Sequence, residues 1–249
     1  MVKIVPTPDW FLGKDILIEG FSFLVLIVFC VLAVRGYKMK KNKGLLNLGI
    51  GFGVIALAQL ASVFTKTVLY YDTAPVQALG KVIISSKVVN SIDIFYYAGF
   101  FFQRFLTLFG LFTIYRLPQK KIIGGDYVLI LFFVLLSALL SQKFFYLFHL
   151  TAFLLLTLIV INYSLIYKKN RFANTKILIV AFSVLAVGQL VYLLSRINTF
   201  FAVGSLMELL GYLIMLVLMV RILKNGKEKR PDGDNLRHAG NNKGKRRKH

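Results

Sequence analysis

Two ionisable residues stand near the middle of long apolar segments of this chain. Arg104 lies within residues 92–115 and Glu208 within residues 198–221. A charged group in the centre of a membrane is costly unless it pairs with another charge or faces a cavity, so each indicates a functional site. The two lie at similar depth, and the sequence predicts that they form an ion pair. The alternative is that such a pair only determines which helices pack together.

Further polar residues recur at helical spacing in the same segments, beside small residues that let helices approach closely. Together they predict one polar pocket shared by four helices. The candidate lining residues are Arg104, Glu208, Gln103, Gln59, Gln189, Lys66 and Tyr212. Glu19 is expected to pair with Lys66, and His149 to be a hydrogen-bonded helix residue. Polar groups are sparse between the middle of these segments and their cytoplasmic ends, so the pocket is predicted to be closed on the cytoplasmic side.

The sequence contains short patterns similar to motifs for a cofactor, catalysis or a metal, but the residues around them argue against each. The glycines at 49, 51 and 53 lie inside an apolar segment without a preceding strand, which argues against a dinucleotide site. Residues 124–126 (Gly-Gly-Asp) are similar to the motif of intramembrane aspartyl proteases, but Ile123 replaces a required glycine. A metal site at His149 would need further ligands at its depth. We therefore expect no enzyme activity, no cofactor and no metal.

The amino-acid composition indicates what kind of protein holds these candidate residues in place. The 249 residues carry 31 Lys and Arg against 10 Asp and Glu, a net charge of +21, yet 57% are hydrophobic and only 16% are charged. This combination excludes an ordinary soluble domain and indicates a multi-pass membrane protein. Cys30 is the only cysteine, so no intramolecular disulfide is possible.

A membrane helix needs about 20 mostly apolar residues. Seven segments of that kind are present, which predicts an all-α membrane fold with a seven-helix bundle over residues 16–223, after an extracytoplasmic N-terminus at 1–15. The predicted spans are approximately 16–35, 45–70, 92–115, 123–141, 144–167, 175–196 and 198–221.

The loops between these segments alternate in charge, which predicts the orientation. On one side lie 23 Lys and Arg residues, and on the other only seven. By the positive-inside rule the N-terminus is outside and the C-terminus cytoplasmic, and the plasma membrane is the expected location.

An internal repeat is visible when the chain is aligned with itself at an offset of 130. Residues 37–66 then match residues 167–196 without gaps, with eight identities. The informative polar pairs are Gln59 with Gln189, Lys66 with Arg196, and Glu19 with His149. A second offset of 105 pairs Gln103 with Glu208. The pattern predicts a 3+1+3 arrangement of parallel halves, and the alternative is coincidence between apolar helices.

Two segments are not expected to cross the membrane. Residues 72–91 form the only long outer loop, in which KVIISSKVV is either a short strand or an interfacial helix. Residues 224–249 predict a disordered basic cytoplasmic tail. From Arg221 onward the chain has a net charge of +8, which favours binding to anionic lipid headgroups. A cytoplasmic protein partner is the alternative, and nucleic acid is disfavoured because no aromatic residues interleave the charges.

The helix count, orientation and repeat resemble the SWEET sugar transporters, but those have prolines in their repeat helices, and all five prolines of this chain lie outside the spans. The size and topology also resemble microbial opsins, which carry a retinal lysine that span 198–221 lacks. Neither family is assigned.

Three functions are compatible with these patterns. The first is a non-enzymatic receptor or sensor that binds a small polar or lipid ligand in its outer half and signals to cytoplasmic partners. The second is a solute transporter whose repeat halves move around the same pocket. The third is a structural subunit of a membrane complex, in which the polar residues only specify packing.

Overall fold

The computed structural model describes residues 9–11, 13–41, 43–71, 81–84, 87–118, 124–194 and 198–228. The elements in this part of the chain are seven helices, one short hairpin and a 3-10 turn at Asp9–Phe11. The helices are α1 (Lys14–Lys40), α2 (Lys43–Tyr71), α3 (Ser91–Arg116), α4 (Gly124–Leu140), α5 (Phe145–Asn170), α6 (Ala173–Leu193) and α7 (Asn198–Glu228).

The described part of the predicted outer loop forms a short β-hairpin, not an interfacial helix. Strand β1 (Lys81–Ile84) pairs antiparallel with β2 (Lys87–Asn90), with Lys81 opposite Asn90. Val and Ile, which make up most of the apolar part of both strands, are β-branched and favour an extended backbone. The rest of the predicted loop, residues 72–80 and 85–86, lies outside the described residues.

The helices form where long runs of Leu, Ile, Val and Phe contain no proline. In lipid, each backbone polar group must be satisfied within the chain, and a helix does this locally. Of the helices in the described residues, six are long and apolar enough to cross a membrane. The remaining one, α4, has 17 residues, or about 26 Å at 1.5 Å per residue. The chain is an all-α membrane protein with multiple spans, and the predicted count of seven stays a prediction.

Many large apolar side chains face outward along the whole bundle. On α1 these include Leu17, Leu24 and Val31, which are 74%, 58% and 62% exposed. Such continuous apolar exposure is incompatible with water and is expected of a surface in contact with lipid tails.

Six helices pack in a closed ring, each against the next, in the order α1, α2, α3, α5, α6, α7 and back to α1. Helix α4 lies outside the ring against α3 and α5. In this order α3 stands opposite α7, and α2 opposite α6. We call the end at which α1, α3, α5 and α7 begin the hairpin end, and the opposite end, where Lys41 and Arg171 lie, the basic end.

Glycines set the closest helix contacts in both halves of the ring. A Cβ on Gly110 of α3 would lie 2.6 Å from Ile55 Cγ1 and 2.8 Å from the Gly51 carbonyl oxygen. A Cβ on Gly211 of α7 would lie 2.5 Å from Leu185 Cδ2. Neither site has room for a side chain, so α3 meets α2, and α7 meets α6, at backbone distance.

The turns at the basic end also have matching geometry. Helix α1 ends at Lys40 and α5 at Asn170, and each is followed by a residue in the left-handed conformation, Lys41 with φ 53° and Arg171 with φ 47°. The backbone N–H of Lys41 donates to the Tyr37 carbonyl at 2.7 Å, and that of Arg171 to the Tyr167 carbonyl at 2.8 Å. All three pairs of positions share the repeat offset of 130 found in the sequence.

Helix α7 continues beyond the predicted start of the tail at residue 224. It ends at Glu228, and Ile222 and Leu223, just before that start, pack on the core. The predicted tail from residue 229 onward lies outside the described residues, as does Arg196 of the predicted repeat.

Candidate functional site

The ring surrounds a cavity of about 70 Å³ in its hairpin half. All six ring helices contribute to its wall, and α4 contributes none. Six of the seven candidates from the sequence line it. The lining residues are Glu19, Gln59, Ser62, Lys66, Phe100, Gln103, Arg104, Thr107, Phe145, Phe148, His149, Gln189, Tyr192, Phe201 and Glu208.

Glu208 is held from two sides. Gln59 Nε2 of α2 donates to its Oε1 at 2.8 Å, and Tyr212 Oη, one turn further along α7, donates to the same oxygen at 2.7 Å. Tyr212, the seventh candidate, therefore supports the carboxylate from the side of the basic end and does not line the cavity. These contacts fix the rotamer of Glu208 and tie α2 to α7 across the interior.

Arg104 projects from α3 and is only 6% exposed. Its Nη1 donates to Ser141 Oγ at 3.2 Å, and its guanidinium carbon lies 5.8 Å from the Phe100 ring centre and 5.9 Å from that of Phe145. Two aromatic faces thus accompany the guanidinium, an arrangement that favours a desolvated cation.

The predicted ion pair between Arg104 and Glu208 is wrong in the described structure. Glu208 makes hydrogen bonds to Gln59 and Tyr212, and its carboxylate has no ion pair there. The reason lies in the ring order, which places α3 and α7 opposite each other. Equal depth along two helices does not make them neighbours.

Lys66 instead pairs with two acids of α1. Its Nζ lies 2.6 Å from Glu19 Oε1 and 2.9 Å from Asp15 Oδ2, and the Asp15 side chain is 1% exposed. The expected contact of Glu19 with Lys66 is therefore present. Asp15 was missed, although it precedes Glu19 by four residues and so shares its helix face.

His149 links α5 to α6. Its Nδ1 lies 2.8 Å from Gln189 Oε1, and its ring stacks on Tyr192 at 4.7 Å. Because the amide oxygen is an acceptor, Nδ1 carries the proton and Nε2 of the neutral ring is an acceptor. His149 Nε2 and Glu19 Oε2 are buried without a hydrogen-bond partner among the described residues. The repeat offset of 130 pairs Glu19 with His149, but neither was predicted to line the pocket.

Aromatic side chains pack against one another towards both ends of the ring. Towards the basic end, Phe52 of α2 stacks on Phe182 of α6 at 6.1 Å, with planes 12° apart, and Phe29 packs edge-on against Phe52 at 4.8 Å. Towards the hairpin end, Phe11 packs against Phe201 at 6.3 Å. The predicted closure of the pocket towards the basic end stays a prediction.

A metal site would need several close ligands. Within the described ranges, no three His, Cys, Asp or Glu side chains lie close enough together to hold an ion. The candidate site is accordingly built from charged, amide and aromatic side chains.

No protein-family model matches the chain, and no curated protein or solved structure matches it significantly.

Proposed function

We propose that this protein is a seven-span membrane protein of the plasma membrane, with its N-terminus outside and its C-terminus in the cytoplasm. The unequal loop charges support the orientation. Helix α4, the fourth in chain order, is the span added to the six long apolar helices. The short length of α4 is compatible with a span if the bilayer thins locally or flanking residues reach the interface.

The proposal includes a 3+1+3 organisation, in which α1–α3 and α5–α7 are equivalent halves. Under this relation the contact of α1 with α7 corresponds to the contact of α5 with α3, and both are present. Phe52 and Phe182, which the repeat alignment pairs, stack face to face between the halves. The matching turns at the basic end support the same offset.

The packing favours a different register for α3 and α7 than the offset of 105. Gly110 meets Ile55 and Gly211 meets Leu185, and these α2 and α6 partners are equivalent positions of the repeat. Gly110 and Gly211 would therefore be the equivalent pair, which changes the offset for these helices to 101. Glu208 then corresponds to Thr107, one helical turn from Gln103.

The function that the geometry supports best is a non-enzymatic sensor or receptor that binds a small polar ligand in the cavity. The observation that carries this is the pair of buried unpartnered atoms, His149 Nε2 and Glu19 Oε2, at a cavity walled by six helices. A buried polar atom without a partner is costly, and a ligand or water in the cavity satisfies it. The small volume disfavours a lipid ligand.

Native mass spectrometry of the gently solubilised protein tests this proposal, with a Glu208→Gln variant alongside. Glutamine keeps the shape of the side chain but removes its charge. We expect a bound small molecule on the wild type that is lost from Glu208→Gln and retained in Lys143→Gln, which removes an exposed charge outside the cavity. If both spectra are unliganded and a defined oligomer or co-purifying subunit is present, the structural role is favoured instead.

A solute transporter is the second candidate. It is favoured by the position of the cavity between equivalent halves, with aromatic layers on both sides, because rocking of halves around a central site gives alternating access. Uptake of a labelled solute into proteoliposomes distinguishes it from a sensor, since a sensor binds the solute without accumulating it.

The tail is proposed to bind anionic lipid headgroups near the membrane and to be the contact site for a cytoplasmic protein. Its net positive charge supports the first role, and a nucleic-acid partner is not proposed. Salt-dependent binding of a peptide of residues 225–249 to phosphatidylserine vesicles, and no binding to phosphatidylcholine vesicles, is the expected result.

A further inference from the structure

The charges of the cavity are separated across its width. Arg104 belongs to α3 and Glu208 to α7, which stand on opposite sides of the ring. Each is held by neighbouring side chains, Arg104 by Ser141 and Glu208 by Gln59 and Tyr212. The cavity therefore has a cationic wall and an anionic wall with a polar space between them.

The overall charge of the wall argues against a ligand with a single sign of charge. Lys66 is already paired with Asp15 and Glu19, and Arg104 and Glu208 have opposite formal charges. An anion would meet an unfavourable Glu208, and a cation an unfavourable Arg104. A molecule with both charges gains from both walls, and its separated charges complement them.

The available volume limits the size of such a molecule. A cavity needs about 10–15 Å³ of volume to hold one water molecule. The 70 Å³ of this cavity therefore correspond to about five to seven water positions. An α-amino acid with a very short side chain contains about that number of non-hydrogen atoms. Its carboxylate suits the bidentate geometry of a guanidinium.

Another polar atom at the cavity suits the ammonium group of this molecule. Glu19 Oε2 is an acceptor without a hydrogen-bond partner among the described residues, and it belongs to α1, which packs against α7, the helix of Glu208. A donor with three N–H groups satisfies several acceptors at once. A carboxylate, which only accepts, would leave Glu19 Oε2 unsatisfied.

We propose that the ligand is a small zwitterion of the glycine or alanine type, with its carboxylate on Arg104 and its ammonium group towards Glu208. This inference rests on the proposed ligand-binding function and names its ligand class. The aromatic rings of Phe100 and Phe145 beside Arg104 keep water from the carboxylate. The small cavity favours amino acids with short side chains.

The test measures thermal unfolding of the full chain in nanodiscs with probes of similar size. These are glycine and alanine as zwitterions, acetate as an anion, methylamine as a cation, and glycerol as a neutral polyol. We expect glycine or alanine at saturation to raise the unfolding midpoint by about 5 °C or more, and the other three to leave it unchanged.

Variants connect the effect to the two walls. Arg104→Gln and Glu208→Gln should each weaken glycine binding by about thirtyfold or more, because each leaves one ligand charge buried without its partner. Arg104→Lys keeps the charge, so it should bind better than Arg104→Gln and serves if that variant does not fold. Lys143→Gln, which alters an exposed charge, should bind like the wild type.

The outcomes separate this inference from the proposed function. Stabilisation by acetate, methylamine or glycerol but not by the zwitterions overturns the ligand class and leaves a polar binding cavity. If no probe acts but native mass spectrometry finds a bound molecule of another class, the inference is likewise wrong and the function stands. If neither experiment finds a ligand, both are wrong.

Discussion

Replacing Lys66 by Met is expected to destabilise the protein strongly, although methionine is apolar and similar in length. Lys66 lies within hydrogen-bond distance of both Asp15 and Glu19. Its ammonium group also lies 5.7 Å from the centre of the Phe201 ring. The variant removes one positive charge and leaves two carboxylates close together at the end of α1.

The expected magnitude follows from the burial of each partner. The Asp15 side chain is 1% exposed and that of Glu19 21% exposed, so solvent compensates Asp15 less than Glu19 for the loss of Lys66. Breaking a buried pair by removing one partner costs about 3–5 kcal/mol. At about 2–4 °C per kcal/mol for a chain of this size, the unfolding midpoint should fall by roughly 6–20 °C.

Thermal unfolding in nanodiscs, with the double variant Lys66→Met/Asp15→Asn, provides the assay. Because an asparagine side chain carries no charge, the second change should recover at least about 1 kcal/mol of the loss. Lys143→Met is the matched control, since Lys143 is exposed at the same end of the bundle, and should change the midpoint little. A fall of less than about 2 °C in Lys66→Met, or no recovery in the double variant, would refute the reasoning.

Two further predictions test the packing and the orientation. Gly110→Ala should lower the free energy of unfolding by about 1–3 kcal/mol, because the added methyl group collides with α2. Gly20→Ala is the control and should be neutral or stabilising, since the space around its Cβ is open. Equal unfolding midpoints of the two variants would contradict the close contact. In a chain with Cys30→Ala, an impermeant maleimide added to intact cells should label Lys143→Cys and spare Lys41→Cys, both at exposed positions. The reverse pattern would show the opposite orientation.

The helix boundaries were largely predictable because hydropathy and proline positions determine them locally. The helices begin and end within about three residues of the predicted spans, except where α1 ends and α7 continues. Those extensions occur because basic residues in the last turn continue a helix into the interface, interact favourably with its dipole and add little to the hydropathy signal.

The pairing of side chains inside the bundle was much less predictable. The depth and face of Arg104 and Glu208 follow from their positions in the sequence, but their separation depends on which helices are neighbours in the ring. The ring order is a property of the whole packing, and no local pattern encodes it. For the same reason the contact of Gln189 with His149, and of Gln59 with Glu208, was not predicted.

Helix α4 lies outside the ring and contributes no side chain to the cavity wall. Under the proposed 3+1+3 organisation, two three-helix units share one direction only if an odd number of helices joins them, and α4 is that joining helix. Its sequence is therefore free to diverge so long as it stays apolar, apart from the contact of Ser137 with Thr151 and the turn that carries Ser141. An unrelated apolar helix of equal length should serve as a spacer, which makes α4 the natural point at which to split the chain into two co-expressed halves.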